Sequence, residues 1–294
     1  MDINNIFSNH KHFIKDGIFI FDENDDYASN FGHQWKDFQQ VQIDSLNNNN
    51  ISQKFLKRLI FNDENILKNK NILEIGCGAG RFTEYLIKHA KLCVSVDLST
   101  AIFHNVSKGS KNLILVKADL LRLKNKFKFD IVICRGVIQH TPDPFLTIKL
   151  LHNFIDDNGS IFFDIYKMPK IGLLHPKYLI WRPLIQFFFT YEQLKKFLIK
   201  NIKLLLKIKK LVRKIFFNSH FISDCFIPVW SYEGKLTLTE ELHNQWAILD
   251  TLDGLFAKFD KPKTNSKVLK FLKNNNFKVI NNDKKNNIFQ TKIK

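Results

Sequence analysis

The 294-residue chain is poor in cysteine, with four, and in glycine, with eleven, and it has two methionines. Cys77, Cys93, Cys134 and Cys225 stand apart with no C-x-x-C pair, which excludes a disulfide framework and a zinc ribbon. A reducing, intracellular setting is expected. Arginine is almost as scarce, six residues against 39 lysines. Specific nucleic-acid sites favour arginine for its planar fork. The net charge of +17 therefore does not by itself announce nucleic acid, and no specific nucleic-acid partner is expected. Long apolar runs are missing too. The stretch Tyr178–Thr190 is interrupted by Arg182, Pro183 and Gln186 and is too short to cross a bilayer. No secretory leader pattern opens the sequence. His140, His152, His175, His220 and His243 are not spaced as ligands of one metal. These absences predict a soluble, cytoplasmic protein without a metal, of ordinary globular composition.

What is present falls into four stretches. Residues 1–70 read as an arm that carries FGHQW at 31–35 and a short amphipathic helix with Ile51, Phe55, Leu59 and Ile60 on one side. Residues 71–166 alternate short apolar runs (Ile72–Ile75, Leu92–Val96, Leu113–Val116, Phe129–Cys134 and Ser160–Tyr166) with helix-like segments. That alternation indicates βαβ units and a mostly parallel sheet. Residues 167–236 read as an insertion bounded by prolines. Residues 237–294 return to the α/β pattern: helices near Glu240–Phe256 and Asn265–Asn274, then strands at Phe277–Ile280 and Ile288–Ile293. Two consecutive final strands predict an antiparallel edge.

The sharpest signal is NILEIGCGAGRFTEYL at 71–86. In a glycine-poor chain, Gly76, Gly78 and Gly80 fall within five residues, between an expected strand and an expected helix. Such a loop lets backbone approach a ligand, and a helix start behind it supplies amide donors. The dinucleotide string G-x-G-x-x-G needs glycine at position 81, where Arg81 stands, and no G-K-S/T follows for a phosphate-binding Walker loop.

The string E-x-G-x-G-x-G resembles the first motif of the class I S-adenosylmethionine-dependent methyltransferases, and later segments match in order. The resemblance implies a Rossmann-like, seven-stranded, mostly parallel sheet with an antiparallel last strand, and S-adenosyl-L-methionine as cofactor. It implies that Asp97, closing the second strand beside Leu98, grips the ribose hydroxyls, a task suited to a carboxylate's two acceptor oxygens. It implies that Asp119, beside Leu120, lies at the adenine, and that Glu74 lies near the methionine ammonium. Arg81 either steers the methionine carboxylate or stays an exposed first-turn residue. FDIVICRGVIQHTPDP at 129–144 resembles the fourth-strand motif, which brings Arg135, Gly136 and His140 to the reacting methyl. There His140 acts as a general base or only lines the site. FGHQW and NQWAILDTLDGLFAKFDKPKT at 244–264 resemble a subgroup acting on small molecules and glycans. On that resemblance Gln34 and Trp35 form a lid over the cofactor, while Trp246, Asp250, Asp253 and Asp260 are candidates for the acceptor pocket.

The insertion holds a long helix without acidic residues from Gln193 to Ser223. Lys195, Lys196, Lys200, Lys203, Lys207, Lys210 and Lys214 recur at helical steps, interleaved with Leu194, Leu198, Ile202, Leu205, Ile208, Val212 and Phe216. Its apolar face either covers the domain as a lid over the acceptor site or, over residues 194–216, lies on an anionic membrane. The expected function is methyl transfer to an oxygen of a glycan or other small metabolite, lipid-linked if the helix meets a membrane. The alternatives are a catalytically silent cofactor-sensing or partner-binding module on the same fold and, behind it, a nucleic-acid methyltransferase.

Overall fold

A tight hairpin opens the fold. Strands β1 (Phe13–Lys15) and β2 (Ile18–Ile20) are joined by Asp16 and Gly17, both at positive φ, +53° and +77°, the conformation that Asp-Gly turns favour. The computed structural model describes residues 2–8 and 11–294. Three helices complete the arm: α1 (Ser29–Gln42, kinked at Phe38), α2 (Asp44–Asn47) and α3 (Ile51–Leu59). The apolar side of α3 is buried through Ile51, Leu56 and Leu59.

The central strands are β3 (Asn71–Ile75), β4 (Leu92–Asp97), β5 (Leu113–Lys117), β6 (Phe129–Cys134) and β7 (Ile155–Asp164). They lie parallel in the order β5-β4-β3-β6-β7, and β8 (Phe277–Asp283) and β9 (Ile288–Ile293) close the edge as β7-β9-β8. The expected seven strands are therefore nine. The arm adds β2 parallel to β5, with β1 antiparallel outside it. Strand β9 is antiparallel to both of its neighbours, as the consecutive final strands predicted.

Side-chain alternation sorts the two faces. Leu73, Ile75, Val94, Val96 and Val132 join one core with Val268 and Leu272, while Ile72, Cys93, Ile131 and Ile133 join another with Leu56, Leu59 and Leu86. Cys77, Cys93 and Cys134 are buried, and Cys225 is half-buried.

The crossovers are thinner than the sequence pattern implied. Helix α4 (Thr83–Leu86) is one turn, a 3-10 segment at Thr100–His104 follows β4, and no helix lies between β5 and β6. The dipole expected behind the glycine loop is thus that of a single turn, and local amides take its place. Helices α5 (Pro144–Leu151) and α10 (Asn265–Asn274) are longer.

The insertion contains α6 (Arg182–Phe188), α7 (Tyr191–Ile215) and α8 (His220–Phe226), and α9 (Glu240–Phe256) follows. A capping box at Thr190 and Gln193 starts α7. Tyr191, Leu194, Leu198 and Ile202 pack with Trp246, Leu249 and Leu252 of α9 and Phe38 and Val41 of α1 into a separate core. Ile208 and Phe216, expected on the same buried face, are exposed. Past Ile202 the inner face of α7 turns polar at the buried Lys209.

Candidate active site

Strand order reverses about β3, whose neighbours β4 and β6 lead away in opposite directions. A crevice at the carboxyl ends of such strands is where open α/β sheets bind ligands. A cavity of about 360 Å³ lies there, walled by the glycine loop, the ends of β4 and β6, the arm and α9.

The loop owes its shape to absent side chains. Gly76, Gly78 and Gly80 have φ of +76°, +51° and +97°. A Cβ on Gly76 would lie 2.0 Å from Val137 Cγ2, and one on Gly78 2.9 Å from Trp35 Nε1. One on Gly80 would lie 2.6 Å from Asn105 Oδ1. The glycines admit the neighbouring loops and Trp35 as much as a ligand.

Asp97 ties the loop down. Its Oδ2 accepts from Gly78 N–H at 2.7 Å, and its Oδ1 accepts from the N–H and hydroxyl of Ser99, each at 2.7 Å. Three of about four acceptor sites are used. A rotated Ser99 hydroxyl would free a second for a ligand's paired hydroxyls. Burial raises the pKa of Asp97, against these hydrogen bonds. Leu98 and Leu120 line the cavity beside it.

Glu74 and Asp119 stand behind the wall. Glu74 is buried below the loop, where Oε2 accepts from Thr83 and Ser95 hydroxyls at 2.7 and 2.6 Å. Burial pushes its pKa to about 7. Its role here is to join β3, β4 and α4. Asp119 Oδ1 accepts from Leu121 N–H and from the Tyr27 hydroxyl, each at 2.9 Å, and it is Tyr27 that faces the cavity. Lys117, 2% exposed, pairs with Asp25 at 2.9 Å and donates to the carbonyls of Asp22 and Glu23, which pins the arm to β5.

The arm supplies Gln34 and Trp35 to the cavity wall. Gln34 is 3% exposed and its Nε2 has no partner. Arg81 donates to Ser52 Oγ at 2.9 Å and Gln42 Oε1 at 2.6 Å, leaving Nη2 unpartnered. Burial and the nearby Arg135 lower its pKa to about 10. Arg135 pairs with Asp164 at 3.3 Å. Gly136 N–H also donates to Asp164, at 2.6 Å. Orphaned buried donors are rare without a ligand or water. Those on Gln34 and Arg81 suit a carboxylate, and with Asp97 and the apolar Leu98 and Leu120 they fit S-adenosylmethionine.

On the far side His140, 5% exposed, is held through Nδ1 by the carbonyl of Phe259 at 2.9 Å. A carbonyl only accepts, so Nδ1 carries a proton, and in the neutral imidazole the lone pair lies on Nε2. Nε2 faces Asp253 Oδ1 at 3.6 Å, an oxygen without a hydrogen-bond partner. Asp253 Oδ2 accepts from Tyr166 at 3.3 Å. Asp250, bonded to Tyr232, has its pKa pushed by burial to about 7. Of the acceptor candidates, Trp246, Asp250 and Asp253 line the cavity. Asp260 does not, and accepts instead from Lys177 at 2.5 Å. Tyr27, Phe31, Asp164, Tyr166 and Tyr232 were not anticipated. Two of them left a trace, Phe31 in the FGHQW string and Asp164 as a carboxylate closing β7. Helix α7 contributes nothing to this cavity, which is roofed by the arm and α9.

Residues 47–205, more than half of the chain, match the family described as Methyltransferase domain. The chain belongs to that family, of the class I, S-adenosylmethionine-dependent kind its glycine motif resembles. It is 31% identical over 103 residues to the ubiquinone biosynthesis O-methyltransferase of Coxiella burnetii, covering 33% of this chain and 44% of that protein. To the protein of the same name in Pseudomonas entomophila it is 28% identical, covering 38% and 52%. The chain thus spans about half the length of these curated relatives. Among solved structures it is similar to magnesium protoporphyrin IX methyltransferase from Synechocystis with bound SAH. There the TM-score is 0.42 and the identity 14%, over 88% of this chain and 82% of that one.

Proposed function

We propose that the chain transfers a methyl group from S-adenosyl-L-methionine to a hydroxyl of a glycan or other small metabolite. When bound, the cofactor supplies a methyl carbon made electrophilic by its sulfonium. Asp97 and Ser99 would take the ribose hydroxyls, and Gln34 and Arg81 the methionine carboxylate. His140 Nε2 would take the proton of the acceptor hydroxyl as its oxygen bonds to the methyl carbon and the methyl–sulfur bond breaks, its electron pair staying on the sulfur of the departing S-adenosylhomocysteine, and Asp253 would stabilise the resulting imidazolium. Much of the acceleration would come from alignment of the two substrates in the cavity. One observation carries the reading: the loop held by Asp97 and a histidine with a free ring nitrogen open into the same cavity. The name of the curated relatives, an O-methyltransferase, agrees with oxygen as the acceptor atom.

The test joins calorimetry with S-adenosylhomocysteine to a labelled-methyl assay on lysate fractions enriched in nucleotide sugars, lipids, RNA or protein. Binding, with label in a sugar or lipid fraction, is expected. His140→Ala should cut turnover at least a hundredfold, in line with the usual contribution of a general base, and leave homocysteine-adduct affinity within about twofold. Unchanged turnover removes His140 from catalysis. Failure to bind at millimolar concentration overturns the reading and leaves a partner-binding module, binding without label in any fraction favours a cofactor-sensing one, and label confined to RNA overturns the acceptor class.

The reading extends to a peripheral position at an anionic membrane, with residues 1–70 and 167–236 as the two parts flanking the catalytic fold. On α7 a second apolar stripe, Phe197, Leu204, Ile208, Leu211 and Ile215, is exposed at helical spacing. Phe189 meets Phe197 at 6.3 Å between ring centroids and extends the stripe to Phe187 and Phe188. Lys196, Lys200, Lys207 and Lys214 border it without partners among the described residues. An apolar ridge edged by free lysines fits an anionic lipid surface, where each lysine contributes about 1 kcal/mol. No helix among the described residues is long and apolar enough to cross a membrane.

A further inference from the structure

We propose that a second cavity, behind the wall of Tyr166, Tyr232, Asp250 and Asp253, seats a phosphoryl group carried by the acceptor. The inference rests on the methyl-transfer reading and names the class of its substrate. The cavity, about 530 Å³, lies between α7, α8, the segment 228–235 and the turn after β8. It shares those four residues and Asp164 with the cavity that holds His140. The two cavities thus adjoin, and an acceptor reaching past the wall would present a hydroxyl on one side and keep its remote end on the other.

The charge on the two sides differs. The second cavity is lined by Lys209, Lys210 and Arg213 of α7, by Lys235, and by Lys285 of the turn. Asp224 pairs with Lys209 at 2.5 Å, and Glu233 is shared between Lys210 and Arg213; Asp164, Asp250 and Asp253 stand on the opposite side, in the shared wall, and Lys167 and Lys177 add to the cations. Lys235 and Lys285 have no side-chain partner among the described residues. The surplus is felt by His220 in the same lining, whose pKa is lowered by burial and then by Lys235 and Arg213.

A concave surface with unneutralised cations concentrates anions. Several point charges around one hollow favour a multiply charged phosphoryl group over a single carboxylate, which one arginine fork would satisfy. The cofactor has its own donors, Gln34 and Arg81, across the wall, so the anion here belongs to the other substrate.

Pyrophosphate and succinate are the probes, titrated at low salt by calorimetry into the full chain, with S-adenosylhomocysteine in a parallel titration. Wild type should bind pyrophosphate at least tenfold more tightly than succinate. Lys235→Glu with Lys285→Glu should weaken pyrophosphate at least tenfold and leave S-adenosylhomocysteine unchanged. Vesicles of neutral phospholipid with and without phosphatidate separate the carriers. Loss of phosphatidate binding in the double variant assigns the phosphate to a lipid headgroup, and pyrophosphate binding alone assigns it to a free acceptor. Equal affinity of wild type and variant for pyrophosphate, or no preference over succinate, overturns the site while adduct binding keeps the methyl-transfer reading. Loss of adduct binding in wild type defeats that reading instead.

Discussion

The glycine loop and the lysine-rich insertion spend their side chains in opposite ways. Around Gly76–Gly80 the space is so filled that a methyl group would collide, Asp97 ties the loop backbone down, and the polar atoms left over, such as Arg81 Nη2 and Gln34 Nε2, are buried. Along α7 one apolar stripe is covered and another faces outward, bordered by Lys196, Lys200, Lys207 and Lys214, which have no partner among the described residues. A region whose contacts are complete has its conformation fixed from within. A region left incomplete is available to something outside the chain.

The largest effect should come from breaking the complete side. Gly76→Ala puts a methyl 2.0 Å from Val137 Cγ2 at φ +76°, where an L-residue also costs about 1–2 kcal/mol in backbone strain. Binding of S-adenosylhomocysteine should fall at least a hundredfold. Val137→Ala in the same chain should restore part of it, and no restoration would mean that strain, not the collision, is responsible.

A subtler effect belongs to Glu74. Its pKa of about 7 lies above the ordinary carboxylate value, so the folded chain keeps a proton that the unfolded chain releases. Stability is then lost as pH rises from about 4.5 to 7, by up to roughly 1.4 kcal/mol per pH unit. Glu74→Gln removes that dependence. Its Tm relative to wild type should climb across this interval, and parallel curves would deny the buried proton.

The smallest effect on stability, and the one that sharpens the contrast, concerns the open side. Phe187 and Phe217 are 82% and 98% exposed, so replacing both with Ser should alter stability by no more than about 0.5 kcal/mol per site. Sedimentation with anionic vesicles at low salt should drop several-fold. A fall in Tm of many degrees would show that these rings are covered after all.

The two regions also differed in how far the sequence exposed them. The strands β3 to β7 were legible because each is a short apolar run on a fully covered sheet, and the final helix and strand pair because their boundaries carry Thr264 and Asn275–Asn276. The loop's glycines and Asp97 were legible by their spacing. The hairpin β1–β2 was not, since three-residue strands give too little alternation, although Asp16-Gly17 marked its turn. The missing helices between strands escaped notice because a polar connection of a dozen residues reads the same whether or not it coils. Tyr27, Tyr166 and Tyr232 reach the cavity from separate elements, and no local pattern relates them. On α7 the lysines masked the fact that two apolar stripes were present.

The thiols give the molecule a built-in clock. Cys77, Cys93 and Cys134 sit in the central sheet and its loop, and burial raises the pKa of each. The reactive thiolate is thus suppressed, and a reagent must wait for the sheet to open. Cys225, half-buried on α8, needs only a local movement of the insertion. In a single alkylation time course, one fast site would count excursions of the insertion and three slow sites would count openings of the whole sheet. Without any engineered label, the chain reports how independently its two regions move.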